Sequence, residues 1–113
     1  MHEASLAISL IELAQTTLER YGLRRALVLQ VEMSALSMVD AQALATAFDC
    51  AKQGTACAEA KLFVREAPAR LVCPQCEAYV CIGHRTQPCP MCAYDSGWNA
   101  VGDGFILKTI EAD

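Results

Sequence analysis

Cys73-Pro74-Gln75-Cys76, a spacer of twelve residues, and then Cys89-Pro90-Met91-Cys92 form the stretch on which the reading of this chain turns. Two residues between cysteines let both sulfurs of a tight turn face one ion. Two such knuckles complete a tetrahedron of thiolates, the surroundings that suit Zn²⁺. Four protein ligands leave no open coordination position for water or substrate, so the site is expected to be structural and not catalytic. A rubredoxin-like iron centre and a pair of redox-active dithiols are the competing chemistries. Disulfide oxidoreductases place one C-x-x-C at a helix start near a βαβ pattern, a context that neither knuckle has. Cys81 and His84, between the knuckles, read as loop residues near the metal, with substitution as ligands the alternative.

Outward from the knuckles, the helix and strand periodicity of the preceding chain breaks at Ala67-Pro68-Ala69-Arg70. The next thirty residues hold three of the four prolines and five of the seven cysteines. So loop-rich a segment has little apolar core, and a bound metal supplies on the order of 10 kcal/mol of its folding free energy. Residues 70–102 are therefore expected to form a zinc-binding domain of zinc-ribbon type.

The flanks carry a different pattern. From His2 to Tyr21, Leu6, Leu10, Leu13 and Thr17 fall on one helical stripe, which Ala14 and Leu18 widen, and Gly22 is placed to cap the helix in the left-handed conformation. In RRALVLQVEM, Leu27, Leu29, Val31 and Met33 alternate with Val28, Gln30 and Glu32, the period of a strand covered mainly on one face. Ser37, with Asp40 three residues on, resembles an N-terminal capping arrangement, and Val39, Ala43, Leu44, Ala47, Phe48 and Ala51 continue with helical spacing until Gly54. Cys50 and Cys57 read as small buried hydrophobes. Lys61 to Glu66 has strand character. So does FILKTIE after the Gly102-Asp103-Gly104 turn, with Phe105, Leu107 and Thr109 opposite Ile106, Lys108 and Ile110. A single short strand cannot stand alone, so it should return to pair with the first sheet. The expected fold is α+β: a small mixed sheet with two helices, built from residues 1–69 and 103–113, into which the four-cysteine zinc domain is inserted.

Bulk properties narrow the function classes. With 54% hydrophobic and 19% charged residues, the 113-residue chain is expected to pack a core. Its net charge of −4 becomes about −6 once four thiolates hold one Zn²⁺, which argues against nucleic acid as a partner. The apolar start, MHEASLAISLIELAQ, carries Glu3 and Glu12 and lacks a basic region, so it does not read as a signal peptide, and no stretch reaches membrane-span length. A cytoplasmic location is expected, where seven cysteines mean metal or free thiols more readily than disulfides.

At the N-terminus, His2 is too bulky for the usual trimming of initiator methionine, so Met1 should keep its α-amine. That amine, the His2 amide nitrogen and the His2 imidazole lie on adjoining chelate rings and span three corners of a square plane, with the Glu3 amide or carboxylate for the fourth. Nitrogen-rich tetragonal sites suit Ni(II) or Cu(II). The alternative is that His2 and Glu3 are solvated surface.

Taken together, Met1-His2-Glu3 with Ser5-Leu6, Glu32-Met33-Ser34-Ala35-Leu36-Ser37, Ala47-Phe48, Gly54-Thr55, Ala60-Lys61-Leu62, the two knuckles and the run from Gly102-Asp103 to Ile110-Glu111 resemble the HypA/HybF family of hydrogenase nickel-insertion accessory proteins over nearly the whole chain. The resemblance implies a nickel metallochaperone and not an enzyme, with transported Ni(II) on Met1, His2 and Glu3. It implies structural Zn(II) on Cys73, Cys76, Cys89 and Cys92. It further implies delivery to the [NiFe]-hydrogenase large-subunit precursor in concert with a HypB-type GTPase, with urease maturation served by some members. Asp40 stands where similar proteins bring an acidic residue toward the N-terminus, although its reading here is a helix cap. Cys50, Cys57 and Cys81 fall outside the family motif. The rival reading is a zinc-ribbon protein-binding adaptor that transfers no nickel.

Overall fold

The computed structural model describes residues 3–98 and 105–113. In chain order the elements are α1 (Glu3–Arg20), β1 (Ala26–Ser34), α2 (Ala41–Ala51), β2 (Lys61–Ala67), β3 (Ala69–Val72), β4 (Tyr79–Ile82) and β5 (Phe105–Ala112). They form a three-stranded sheet in the order β2-β1-β5 and a separate β3-β4 hairpin. The result is an α+β fold, and the last strand does return to the first sheet.

The chain divides into two compact units. Unit 1 comprises Met1–Val31, Met38–Val64 and Leu107–Asp113, and unit 2 comprises Glu32–Ser37 and Arg65–Ile106.

In unit 1, α1 packs against α2. The core is built from Leu6, Ala7, Leu10, Ile11, Ala14 and Leu18 of α1, Leu29 and Val31 of β1, and Leu44 and Phe48 of α2, with Cys57 and Ala60 beyond. The α1 stripe is rotated from its sequence expectation: Ala7 and Ile11 are buried, whereas Leu13 is 52% exposed and Thr17 only half-buried. Periodicity alone leaves the phase open here, because Leu13 lies three residues from Leu10 and could flank the stripe on either side. Its neighbour in space is β5: Leu13, Thr17, Tyr21 and Leu23 line a shallow cleft with Leu107, Ile110 and Ala112.

Helix ends follow local chemistry. Gly22 (φ 67°) ends α1 as expected: its N–H donates to Glu19 O (3.2 Å) and the Leu23 N–H to Leu18 O (2.9 Å), the two bonds of a Schellman turn. At α2 the cap is Asp40 and not Ser37. Asp40 Oδ1 accepts from the N–H groups of Gln42 (2.8 Å) and Ala43 (3.1 Å), while the Ser37 N–H turns back to Ser34 O (2.9 Å). Asp40→Ala should therefore cost about 1 kcal/mol. A fall in the urea midpoint followed by far-UV circular dichroism checks this; an unchanged midpoint would show that the cap carries no weight.

Arg25 and Asp113 pair at the end of the sheet. The N–H of each donates to the carbonyl of the other (both 3.1 Å), the reciprocal exchange of antiparallel neighbours. Arg25 Nε also donates to Asp113 Oδ1 (2.8 Å), and its Nη1 reaches Glu59. These bonds hold the Asp113 carboxyl below its usual range, the side-chain hydrogen bond from Arg25 being the largest cause. At the opposite ends of β1 and β2, the Ala35 N–H donates to Ala67 O (2.8 Å). The two strands therefore run the same way, an arrangement that the crossover through α2 allows, and the sheet is mixed. Along β5 the burial alternation changes phase between Lys108 and Thr109, so that Ile110 and Ala112, and not Thr109, continue the covered positions begun by Phe105 and Leu107.

Unit 2 has a small core of Leu36, Cys73, Val80, Ile82 and Cys89, against which Ala69, Leu71, Tyr94 and Trp98 pack. The antiparallel register Ala69↔Ile82, Arg70↔Cys81, Leu71↔Val80, Val72↔Tyr79 puts Ala69, Leu71, Val80 and Ile82 on the inner face of the hairpin. Trp98 seals this core edge-on to Tyr94, with ring centroids 5.3 Å apart, and its Nε1 donates to Gln87 O (2.8 Å). The turn expected at Gly102-Asp103-Gly104 lies outside the described residues. Among the described residues no helix is long and apolar enough to cross a membrane.

Candidate metal centre

Each knuckle is built by the same local bonds. In the first, the Cys73 N–H donates to Ala78 O (2.9 Å), the Glu77 N–H to Cys73 O (2.9 Å) and the Gln75 N–H to Cys73 Sγ (3.4 Å). In the second, the Cys89 N–H donates to Tyr94 O (2.7 Å), the Ala93 N–H to Cys89 O (2.8 Å) and the Met91 N–H to Cys89 Sγ (3.3 Å). Pro74 and Pro90 follow the first cysteine of each turn, where their locked φ favours a tight reversal. Both knuckles close on a left-handed residue, Glu77 (φ 61°) and Ala93 (φ 65°). Neither is glycine, so each stores roughly 1–2 kcal/mol of backbone strain, small beside what a metal bound to four thiolates returns.

The two turns bring Cys73, Cys76, Cys89 and Cys92 together, with all four sulfurs within 4.8 Å of one another. Cys73 Sγ lies 3.7 Å from Cys92 Sγ and Cys76 Sγ 3.8 Å from Cys89 Sγ. A regular tetrahedron with metal–sulfur bonds near 2.3 Å has edges of about 3.8 Å. Two opposite edges of the quartet thus match a zinc–thiolate shell, all four sulfurs lie within reach of the same ion, and the 3.7 and 3.8 Å pairs are far too distant for disulfides. Cys73 and Cys89 are buried, Cys92 is half-buried and Cys76 exposed. The thiols influence one another strongly. Cys73 is lowered to about 7: burial pushes it up, but the amides of Cys76 and Gln75 and the neighbouring thiols outweigh that. Cys92 is pushed up to about 12: the Tyr94 amide lowers it, while burial and the other three thiols raise it. Thiols this crowded part with their protons in sequence, and a divalent cation is what allows four thiolates to coexist.

The second predicted site begins at α1. Glu3 opens the helix, and its Oε2 accepts from the backbone N–H of Asp40 at 3.1 Å. The side chain thus ties the start of α1 to the N-cap of α2, a long-range contact that no local sequence pattern announces. Met1 and His2 lie outside the described residues.

A family model described as hydrogenase/urease nickel incorporation, metallochaperone HypA, matches residues 1–112. The chain belongs to the HypA family. Among curated relatives, it is 32% identical to hydrogenase maturation factor HypA of Salmonella typhimurium, over the whole of this chain and 97% of that one. It is 34% identical to hydrogenase maturation factor HybF of the same organism and 31% identical to HybF of Escherichia coli, each over the full length of both chains. Its fold is that of the solution structure of the Ni metallochaperone HypA from Helicobacter pylori, at a TM-score of 0.74 and 21% identity, covering 99% of this chain and 97% of that one. Members of the HypA family are metallochaperones and maturation factors, so the chain acts in hydrogenase maturation and is not an enzyme.

Within this HypA-type chain the remaining candidates fall away from the quartet. Among the described residues, the four cysteines are the one group of three or more His, Cys, Asp or Glu side chains close enough to share an ion. Cys81 stands on the exposed face of β4, cross-strand from Arg70 and opposite in direction to Val80 and Ile82. His84 is exposed in the turn that follows, where its Nδ1 lies 2.7 Å from Thr86 Oγ1 and accepts from the Thr86 N–H (3.2 Å). Cys57 is fully buried, and burial pushes its thiol up. Cys50 corrects the sequence expectation: it is exposed, because it falls two residues after Phe48 and so on the opposite side of α2.

Proposed function

We propose that this protein carries Ni(II) on the Met1 amine, the amide and imidazole of His2 and the amide or carboxylate of Glu3, and helps insert it into the [NiFe]-hydrogenase large-subunit precursor. The observation that carries this reading is the match of the nickel-metallochaperone model across residues 1–112. The donor chemistry supports it: three nitrogens on adjoining chelate rings favour a tetragonal ion such as Ni(II), whereas zinc favours the thiolate quartet. Glu3 opens a helix while its carboxylate bonds the Asp40 N–H, so the third donor residue is anchored where the chain enters its core. Unit 1 is then the nickel-bearing domain. Unit 2 is the zinc-bearing one, with Cys73, Cys76, Cys89 and Cys92 holding a structural Zn(II). Zinc at this quartet supplies cross-linking of the two knuckles and leaves no site for substrate. A HypB-type GTPase and the hydrogenase precursor are the partners, urease maturation is the related route, and the cytoplasm is where transfer takes place.

Transfer needs ligands that leave one at a time. Because amide and imidazole must be deprotonated to bind, acidification or a competing thiolate site favours release. The test is nickel titration of untagged protein beside His2→Ala and beside a variant extended by Gly-Ser before Met1, which turns the α-amine into an amide. Outer-shell changes alone cost roughly 10–100-fold in metal affinity, so both variants should weaken Ni(II) binding on the order of 100-fold with unchanged far-UV circular dichroism. Equal affinity and stoichiometry in all three would sink the nickel-carrier reading and leave the zinc-ribbon adaptor.

A further inference from the structure

The two knuckles are alike in backbone but not in the residue before their second cysteine. Gln75 holds that place in the first and Met91 in the second, and each sends its backbone N–H to the sulfur two residues earlier. Only Gln75 does more. Its side-chain Nε2 reaches Cys92 Sγ of the other knuckle at 3.6 Å. A thiolate accepts and does not donate, so the amide nitrogen and not Oε1 must face it. Cys73 Sγ and Cys92 Sγ are themselves 3.7 Å apart. Gln75 therefore caps one complete edge of the tetrahedron with two donors, whereas the thioether of Met91, 70% exposed, gives the Cys76–Cys89 edge no side-chain donor.

We propose that Gln75 is a positioning residue for the zinc site: by donating to Cys73 from its backbone and to Cys92 from its side chain, it locks the knuckles together across the metal and slows metal release. The proposal rests on the assignment of Zn(II) to the quartet. Four thiolates around one divalent cation carry a net charge of −2, and donors to sulfur spread that charge and make each thiolate less ready to take a proton or leave. The backbone donor survives any substitution but proline, so the side-chain contribution is separable from the fold of the turn.

The experiment measures zinc transfer from the purified full chain to a chromogenic chelator in excess. Gln75→Leu should speed release on the order of 10–100-fold, the usual cost of losing an outer-shell partner. Gln75→Lys, which restores a donor and adds positive charge, should release close to the wild-type rate, and Met91→Leu should match wild type. In Co(II)-substituted protein, Gln75→Leu should move the sulfur-to-metal charge-transfer band to lower energy, because the Cys92 thiolate loses its donor. Gln75→Leu releasing at the wild-type rate overturns the proposal, and so does Gln75→Lys releasing as fast as Gln75→Leu. A wild-type protein that takes up no stoichiometric zinc would overturn the zinc assignment itself, a result distinguishable from either.

Discussion

Stripping the metal from the cysteine quartet should unfold unit 2, with Trp98 emission shifting to the red and its near-UV dichroism disappearing. The chain has one tryptophan, and it sits in the small core of unit 2, edge-on to Tyr94 and bonded to Gln87 O. That core has five buried residues, two of which, Cys73 and Cys89, are metal ligands in our assignment. Such a core is small for a unit of nearly fifty residues, because burial returns only about 25 cal/mol per Å² against the entropy of ordering each backbone. Metal binding adds on the order of 10 kcal/mol to the folded side, more than a core of this size can spare. Cys89→Ser should have the same effect without chelator. Trp98 emission unchanged after complete removal of zinc would show that the hairpin and its aromatic pair hold the unit without metal.

Phe48→Ala should destabilise unit 1 by about 3–5 kcal/mol, the usual cost of emptying a large aromatic from a packed core. Among the described residues Phe48 is the largest side chain that is fully buried, and with Leu44 it forms the inward face of α2. Lys52 Nζ lies 5.5 Å from its ring centroid, so the substitution also removes a cation–π contact. Against a total stability of roughly 5–15 kcal/mol for a domain of this size, the variant should be largely unfolded on mild warming. Thermal melts followed at the helical far-UV signal measure it. A loss under about 1 kcal/mol would mean that Phe48 is not the keystone of this core. Cys50→Ala, two residues away and exposed, is the natural comparison and should change little.

The parts of the structure that were legible beforehand are those in which neighbours along the chain answer one another. Gly22 was readable as a C-cap because a left-handed residue after a helical stripe is a local event, and the two bonds that close it span at most six residues. The knuckles were readable for the same reason. Where the deciding partner is distant, the local pattern is ambiguous or silent. Leucine spacing allows two phases for the α1 stripe, one of them with Leu13 inside, and only packing chooses Ala7 and Ile11. Cysteine is usually buried, which favours an inward Cys50, yet its angle on α2 sends it to solvent. The β3-β4 hairpin, whose strands flank the first knuckle, is not legible in the sequence, since strands of four residues carry almost no alternation to read. Neither Glu3 to Asp40 nor Gln75 to Cys92 leaves a trace in local spacing, for each joins residues that folding alone makes neighbours.

The sequence by itself determined the four-thiolate quartet, because two C-x-x-C turns can face one ion whatever surrounds them. Tertiary structure decided what supports that quartet. It brought the four sulfurs within 4.8 Å of one another, turned Cys81 away on the outer face of a hairpin, drew Glu32–Ser37 into the same unit and laid Gln75 across two sulfurs of opposite knuckles. Ligand identity is a property of residues and their spacing, whereas ligand geometry and its hydrogen bonds depend on which distant segments pack together.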